Sequence, residues 1–162
     1  VGLALEGDTL IVGDARDDVS GAAYVFTRSG TVWTEQQRLA PRDPVESSYF
    51  GRVALEGSYA VIGASGYDIP GFDDAGAAFV FERYSGTWIE VDRLDATDPG
   101  VDGDFGIHVA MSGGTAVIGD RYCDLPGMAD AGAADVFLIS NVVIFADGFE
   151  SGPTSAWDGV TP

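Results

Sequence analysis

Several residue types are scarce in this chain, and each shortage removes a class of function. The 162 residues contain one cysteine, one histidine and no lysine. One cysteine cannot form an internal disulfide, and Cys123 without a second Cys or His pattern supports neither zinc binding nor thiol catalysis. The eight basic residues are all arginine and face 26 acidic residues. The net charge of −18 would repel a phosphate backbone and therefore disfavours nucleic-acid binding.

Long apolar runs are also missing. The longest lies around residues 141–146 and is far shorter than the roughly 20 residues of a membrane helix, so we expect no transmembrane segment. The chain starts at Val1, and no charged segment followed by an apolar core marks a signal peptide. We therefore expect a truncated chain. Few cysteines and an acidic surface are compatible with a secreted protein and equally with a cytoplasmic one.

What the chain does contain is one unit repeated three times. Gly21–Phe26 reads GAAYVF, and the pattern returns as GAAFVF at Gly76–Phe81 and as GAADVF at Gly132–Phe137. Trp33 and Trp88 recur at the same step, which is about 55 residues, a period typical of solenoids and propellers. Aromatic residues at the same place in each copy are expected to pack between sheets rather than to bind sugars.

Each copy is predicted to form four short strands. Val53–Leu55 and Ala60–Ile62 flank a turn with glycine where a tight hairpin needs positive φ. The third strand, Ala77–Phe81, is apolar on both faces, which is typical of a strand covered on both sides. The fourth, Trp88–Asp92, alternates polar and apolar residues as an outer strand does. Four-stranded units of this length are the pattern of a β-propeller blade.

Two further dipeptides carry a family resemblance. Phe50-Gly51 and Phe105-Gly106 each precede a Val-Ala hairpin that ends in Ile-Gly, and the Gly-Ala-Ala strand follows. This order resembles the FG-GAP repeats of integrin α-chain propellers and of their bacterial secreted relatives, over residues 1–140. The resemblance implies an extracellular propeller. We divide the chain into three repeats and a tail, at 1–50, 51–104, 105–145 (last strand atypical) and 146–162.

Three blades are fewer than the roughly four to eight of a closed propeller, so the fold class we expect is all-β, an open propeller-like array of three four-stranded antiparallel blades.

One substitution interrupts the repeat. Asp135 stands where Tyr24 and Phe79 stand, and an unpaired carboxylate is costly between sheets. We therefore expect the third copy to end the array, with Asp135 on a wet face or paired with an arginine.

The loop after the second strand is rich in carboxylates. Copies two and three share the frame Asp-x-Pro-Gly-x-x-Asp-Ala-Gly, with Asp68 and Asp74 repeated as Asp124 and Asp130. Several carboxylates from one loop are the ligands that Ca²⁺ takes, so calcium is a possible ligand of these four residues. Turn chemistry is the alternative, in which Asp side chains accept backbone N–H groups. Calcium-binding integrin blades carry a denser Asp-x-Asp-x-Asp-Gly pattern that is missing here.

No catalytic group stands out. His108 lies within a predicted strand, at the place of Arg52 in the preceding copy, and no nucleophile elbow surrounds Ser112. Tyr67 and Phe72, in the acidic loop of copy two, are the aromatic residues we expect to contact a partner. The tail around Trp157 resembles the endings of secreted bacterial proteins, which suggests export or surface sorting; a disordered terminus is the alternative.

These observations favour a non-catalytic binding or adhesion scaffold that is secreted or held at the cell surface, with a protein or carbohydrate ligand there. The alternative is the propeller portion of a secreted hydrolase whose catalytic residues are absent from this fragment.

Overall fold

The computed structural model describes residues 1–139, and these residues form strands, turns and loops without a helix. No helix long and apolar enough to cross a bilayer therefore lies in this part of the chain. The strands are β1 Gly2–Glu6, β2 Thr9–Asp14, β3 Ala22–Ser29, β4 Val32–Leu39, β5 Phe50–Glu56, β6 Tyr59–Ala64, β7 Ala77–Tyr84, β8 Thr87–Leu94, β9 His108–Ser112, β10 Thr115–Asp120 and β11 Ala133–Leu138.

The strands form three antiparallel meanders. Sheet 1 consists of β1–β4, sheet 2 of β5–β8 and sheet 3 of β9–β11, each in sequence order. Within residues 1–139 the three sheets do not close into a ring, and the all-β, open array predicted from the sequence is confirmed. The continuation of the third repeat to residue 145 and the tail at 146–162 with Trp157 lie outside the described residues.

The first hairpin of each sheet turns at the glycine that the sequence singled out. Gly7, Gly57 and Gly113 have φ of 56°, 59° and 62°. Side chains larger than hydrogen are strained in this left-handed region, so glycine sets the register of the hairpin that follows.

Each sheet has two distinct faces. The front face carries the larger side chains, represented by Leu5, Val12 and Phe26 in sheet 1, by Leu55, Ile62 and Phe81 in sheet 2, and by Met111, Ile118 and Phe137 in sheet 3. The back face carries the intervening residues, represented by Ile11 and Val25 in sheet 1, by Val61 and Val80 in sheet 2, and by Val117 and Val136 in sheet 3. The pairing registers place each set on one side, because side chains alternate along a strand.

The sheets stack back to front. Ile11 and Val25 on the back of sheet 1 share one buried core with Ile62 and Phe81 on the front of sheet 2. A second core repeats this contact, with Val61 and Val80 of sheet 2 against Ile118 and Phe137 of sheet 3. Sheet 2 is covered on both sides, so five consecutive residues of β7 are buried, as its doubly apolar sequence predicts.

The Phe-Gly dipeptides lock successive sheets together. Phe105 is fully buried and donates its N–H to the Ala75 carbonyl at 3.0 Å. The following Gly106 lies so close to Gly63 of sheet 2 that a Cβ on Gly63 would stand 2.0 Å from the Gly106 carbonyl oxygen. Phe50 and Gly51 repeat this contact against sheet 1. The repeated glycines are therefore required by backbone-to-backbone approach between sheets.

The location of Asp135 differs in part from the expected one, since the residue is half-buried and lies on an inner face of the array. It pairs with Ile118 on the front of sheet 3, the face that packs against sheet 2, rather than on an outer face. Its carboxylate accepts hydrogen bonds from the Thr97 N–H at 3.0 Å and the Thr97 hydroxyl at 2.6 Å. The partner is thus the linker that follows sheet 2, not an arginine, and these bonds offset the cost of placing a carboxylate there.

Candidate functional site

The two acidic loops have the same backbone. Ile69 and Phe72 exchange two backbone hydrogen bonds of 2.9 and 3.1 Å around Pro70-Gly71, where Gly71 has φ of 94°. Leu125 and Met128 repeat the arrangement around Pro126-Gly127. Proline followed by glycine with positive φ is the pattern of a type II turn. The shared sequence frame therefore encodes one loop structure in two copies.

The predicted calcium ligands also occupy matching positions. The Asp68 carboxylate accepts the N–H of Asp74 at 2.8 Å, and Asp124 accepts the N–H of Asp130 at the same distance. Asp74 and Asp130 have φ of 50° and 51°, an uncommon backbone conformation that aspartate tolerates. The structure thus shows the turn chemistry that was the alternative to calcium binding.

The loop of copy two gathers carboxylates from the following linker. Burial raises the pKa of Asp74, and the charges of Asp68, Asp102, Asp104 and Asp73 raise it further. Asp102 donates its N–H to the Asp73 carbonyl at 3.1 Å, which holds the linker against the loop. Among residues 1–139, however, no three His, Cys, Asp or Glu side chains are grouped so that they could hold a metal ion. Calcium binding by Asp68 and Asp74 stays a prediction.

The two aromatic residues of this loop differ in location. Tyr67 is 4% exposed, packs edge-to-face on Phe79 with ring centroids 5.2 Å apart, and donates its hydroxyl to the Asp43 carbonyl at 3.0 Å. Its predicted surface location is therefore wrong, because the loop folds the ring inward over sheet 2. Phe72 is half-buried against the same core. Its role as a residue that contacts a partner stays a prediction. Trp88 is 2% exposed, as expected of a packing residue.

Three side chains of the described residues have the chemistry of a nucleophile, an acid or a base. His108 is exposed at the start of β9. Cys123 is 8% exposed, and burial raises the pKa of its thiol, which lowers the thiolate fraction. Asp120 is 4% exposed, and burial raises its pKa to about 6 although the backbone N–H groups of Tyr122 and Cys123 oppose the shift.

Sequence reasoning missed a cleft of about 590 Å³ to which all three sheets contribute. Arg16 follows β2, Arg52 lies in β5 and Arg121 follows β10. Arg121 is paired with Asp104 at 2.5 Å, whereas the guanidinium groups of Arg16 and Arg52 have no carboxylate partner within residues 1–139. Tyr49 completes one wall. The signal in the sequence is an arginine one or two residues beyond the second strand in copies one and three.

The cleft differs in charge from the rest of the protein. Three of the eight basic residues line it in a chain whose net charge is −18. Guanidinium groups bind carboxylates through two parallel hydrogen bonds, so the cleft can hold a carboxylate-bearing group. Asp14 and Asp104 also line it and limit the total positive charge.

Comparison with known proteins agrees with the repeat structure. No curated protein matches the chain. A family model described as FG-GAP repeat matches residues 33–81 and 88–137, which together exceed half of the chain. Each match begins in the outer strand of one sheet and ends in the third strand of the next, so the family unit spans the inter-sheet contact that Phe50-Gly51 and Phe105-Gly106 form. The chain therefore belongs to the FG-GAP repeat family.

Proposed function

We propose that this chain is a non-catalytic binding scaffold that acts outside the cytoplasm, at or near a cell surface, and binds protein or carbohydrate ligands that present carboxylates. The cleft with Arg16, Arg52 and Arg121 is the observation that carries the proposal. It is a concave surface on a rigid scaffold of sheets, which is where ligand sites most often lie.

The electrostatics support the choice of ligand. The acidic surface repels polyanions at long range, so binding at the cleft depends on short-range contacts with a carboxylate rather than on steering. Arg16 and Arg52 make no ion pair within residues 1–139, so a ligand carboxylate need not displace an internal partner.

The non-catalytic part of the proposal has separate support. The Cys123 thiol is buried and its pKa is raised, which disfavours the thiolate that nucleophilic catalysis needs. His108 is exposed and lies outside the residues that line the cleft. The resemblance to integrin α-chain propellers and bacterial secreted repeats is what supports the extracellular location, and fractionation of the producing cells would test it.

Binding measurements test the proposal directly. Biolayer interferometry at an ionic strength of about 0.5 M screens the long-range repulsion between the acidic surface and a polyanion. Under this condition polygalacturonate, a glutamate-rich peptide and a neutral glucan distinguish an acidic carbohydrate, an acidic protein segment and charge-independent binding. We expect binding to one of the two acidic probes and a loss of roughly tenfold or more in affinity in Arg52→Gln, since a charge-assisted hydrogen bond contributes about 1.5 kcal/mol or more.

Arg28→Gln is the matched control, because Arg28 is an exposed arginine that pairs with Asp8 outside the cleft. Binding that Arg28→Gln weakens as much as Arg52→Gln, or binding of the neutral glucan alone, would contradict the proposal. A failure of both acidic probes would also count against a carboxylate ligand.

A further inference from the structure

The three arginines of the cleft are not equally available to a ligand. The Arg121 guanidinium lies 2.5 Å from the Asp104 carboxylate, whereas Arg16 and Arg52 have no carboxylate partner within residues 1–139. The Arg121 side chain is nevertheless 54% exposed, and that of Asp104 is 21% exposed. One guanidinium of the cleft is therefore occupied by a carboxylate of the protein, at a place that solvent still reaches.

Comparison of the repeats shows that the fold does not require this ion pair. The residue before the Phe-Gly dipeptide is Tyr49 in copy two and Asp104 in copy three, with φ of 55° and 65°, and both line the cleft. The residue after the second strand is Ser65 in copy two and Arg121 in copy three, and both line the cleft as well. Copy two thus holds the same two backbone places with uncharged side chains.

The neighbours of the pair hold the Arg121 guanidinium ready for a carboxylate. Tyr122 donates its N–H to the Gly103 carbonyl at 3.1 Å, and Ile107 donates its N–H to the Asp104 carbonyl at 3.0 Å. The guanidinium carbon of Arg121 lies 4.3 Å from the centroid of the Tyr122 ring, a cation–π contact that orients it. Exchange of one carboxylate for another therefore needs little further ordering of the arginine.

We propose, on the basis of the carboxylate ligand proposed above, that Asp104 is an internal competitor for that ligand. Its carboxylate occupies Arg121, and a ligand carboxylate binds Arg121 only by displacing it. Exposed ion pairs contribute little to stability, so this pair can open without unfolding the linker. Arg16 and Arg52 have no such competitor and make the first contacts with the ligand, and the competition at Arg121 lowers the overall affinity.

Asp104→Asn in the full chain tests the competition, because it removes the carboxylate and keeps the side-chain shape. Asparagine tolerates the positive φ of 65° at this position, so the variant is expected to fold. The probes are polygalacturonate and the glutamate-rich peptide, in interferometry at an ionic strength of about 0.5 M. We expect Asp104→Asn to bind the acidic probe about tenfold more tightly than the parent does, the effect of one charge-assisted hydrogen bond.

Two comparisons separate competition from simple repulsion. Asp14 also lines the cleft and accepts the Arg16 N–H at 3.0 Å, but it forms no ion pair within residues 1–139. Asp14→Asn removes the same charge without freeing a guanidinium, so its gain in affinity should stay below about threefold in the screening buffer. In an Arg121→Gln background, Asp104→Asn should gain no more than Asp14→Asn does.

The outcomes distinguish this proposal from the proposed function. Equal gains from Asp104→Asn and Asp14→Asn, or a tenfold gain that persists without Arg121, would overturn the competition. A parent that binds an acidic probe as tightly as Asp104→Asn does would also overturn it and would leave the proposed function standing. If neither protein binds either acidic probe, both proposals fail. Binding by Asp104→Asn alone would support an internal carboxylate that blocks the cleft.

Discussion

The side-chain amide of Gln37 forms two hydrogen bonds with the backbone of Trp88. The Gln37 Nε2 donates to the Trp88 carbonyl at 2.8 Å, and the Trp88 N–H donates to the Gln37 Oε1 at 2.9 Å. Gln37 lies in β4 and Trp88 in β8, the outer strands of neighbouring sheets. The outer edge of a sheet presents unpaired backbone groups, and here one side chain satisfies a donor and an acceptor across the gap.

Removing this amide should loosen the contact between sheets 1 and 2. We expect Gln37→Ala to lower the free energy of unfolding by about 1–2 kcal/mol, since two partly buried hydrogen bonds are lost. Urea denaturation measures the change. Gln36→Ala is the control, because Gln36 makes one exposed bond to the Gly86 carbonyl and its loss should cost under about 0.5 kcal/mol. Equal effects of the two variants would refute a special role for Gln37.

The glycine that precedes the loop of each copy provides a second test. A Cβ at Gly63 would lie 2.0 Å from the Gly106 carbonyl oxygen. The contacted atoms belong to the Gly106 backbone and cannot rotate away, so the sheets must separate to accommodate the Cβ. We expect Gly63→Ala to cost several kcal/mol or to prevent folding. The equivalent Gly119 meets nothing nearer than 3.7 Å, so Gly119→Ala should change stability by less than about 1 kcal/mol. Thermal melts of both variants decide.

Asp120 should make stability depend on pH. Burial raises its folded-state pKa from 3.8 to about 6, so the folded chain binds this proton more tightly than the unfolded chain does. Stability should therefore fall as the pH rises from about 4 through about 6, by at most about 3 kcal/mol from this group.

Asp120→Asn keeps an oxygen acceptor for the Tyr122 N–H and removes the charge. Its stability should exceed that of the parent at pH 7 and match it near pH 4, as measured by denaturation across this range. The difference between the two curves cancels the contributions of the other carboxylates. A difference that stays constant with pH would show that Asp120 does not titrate there.

Calcium binding at the acidic loops can be measured by titration calorimetry. Because Asp68 already accepts the Asp74 N–H and no metal-binding group forms within residues 1–139, we expect binding no tighter than about millimolar. Asp74→Ala is compared with the parent, and Asp130→Ala tests the same loop in copy three. Tight, stoichiometric binding that Asp74→Ala abolishes would contradict this expectation.

The sequence determined the architecture because each repeat contains local signals for its turns and strands. Glycine in the hairpin turns and the doubly apolar third strand are local signals of turns and strands, and β7 is buried on both faces as predicted. The Phe-Gly dipeptides carried the family resemblance, whereas their close approach to the preceding sheet is seen only in the structure. Comparing copies also identified the Asp-x-Pro-Gly frame, which forms the same type II turn twice.

Only the tertiary structure decided which face of a strand meets which sheet. The period of two places Asp135 and Ile118 on one side of sheet 3, but the sequence does not say whether that side faces sheet 2 or solvent. Tyr67 was misplaced for a similar reason, because loop composition does not reveal that the backbone folds the ring inward. The cleft of Arg16, Arg52 and Arg121 joins residues distant in sequence, and stacking of the sheets is what brings them together.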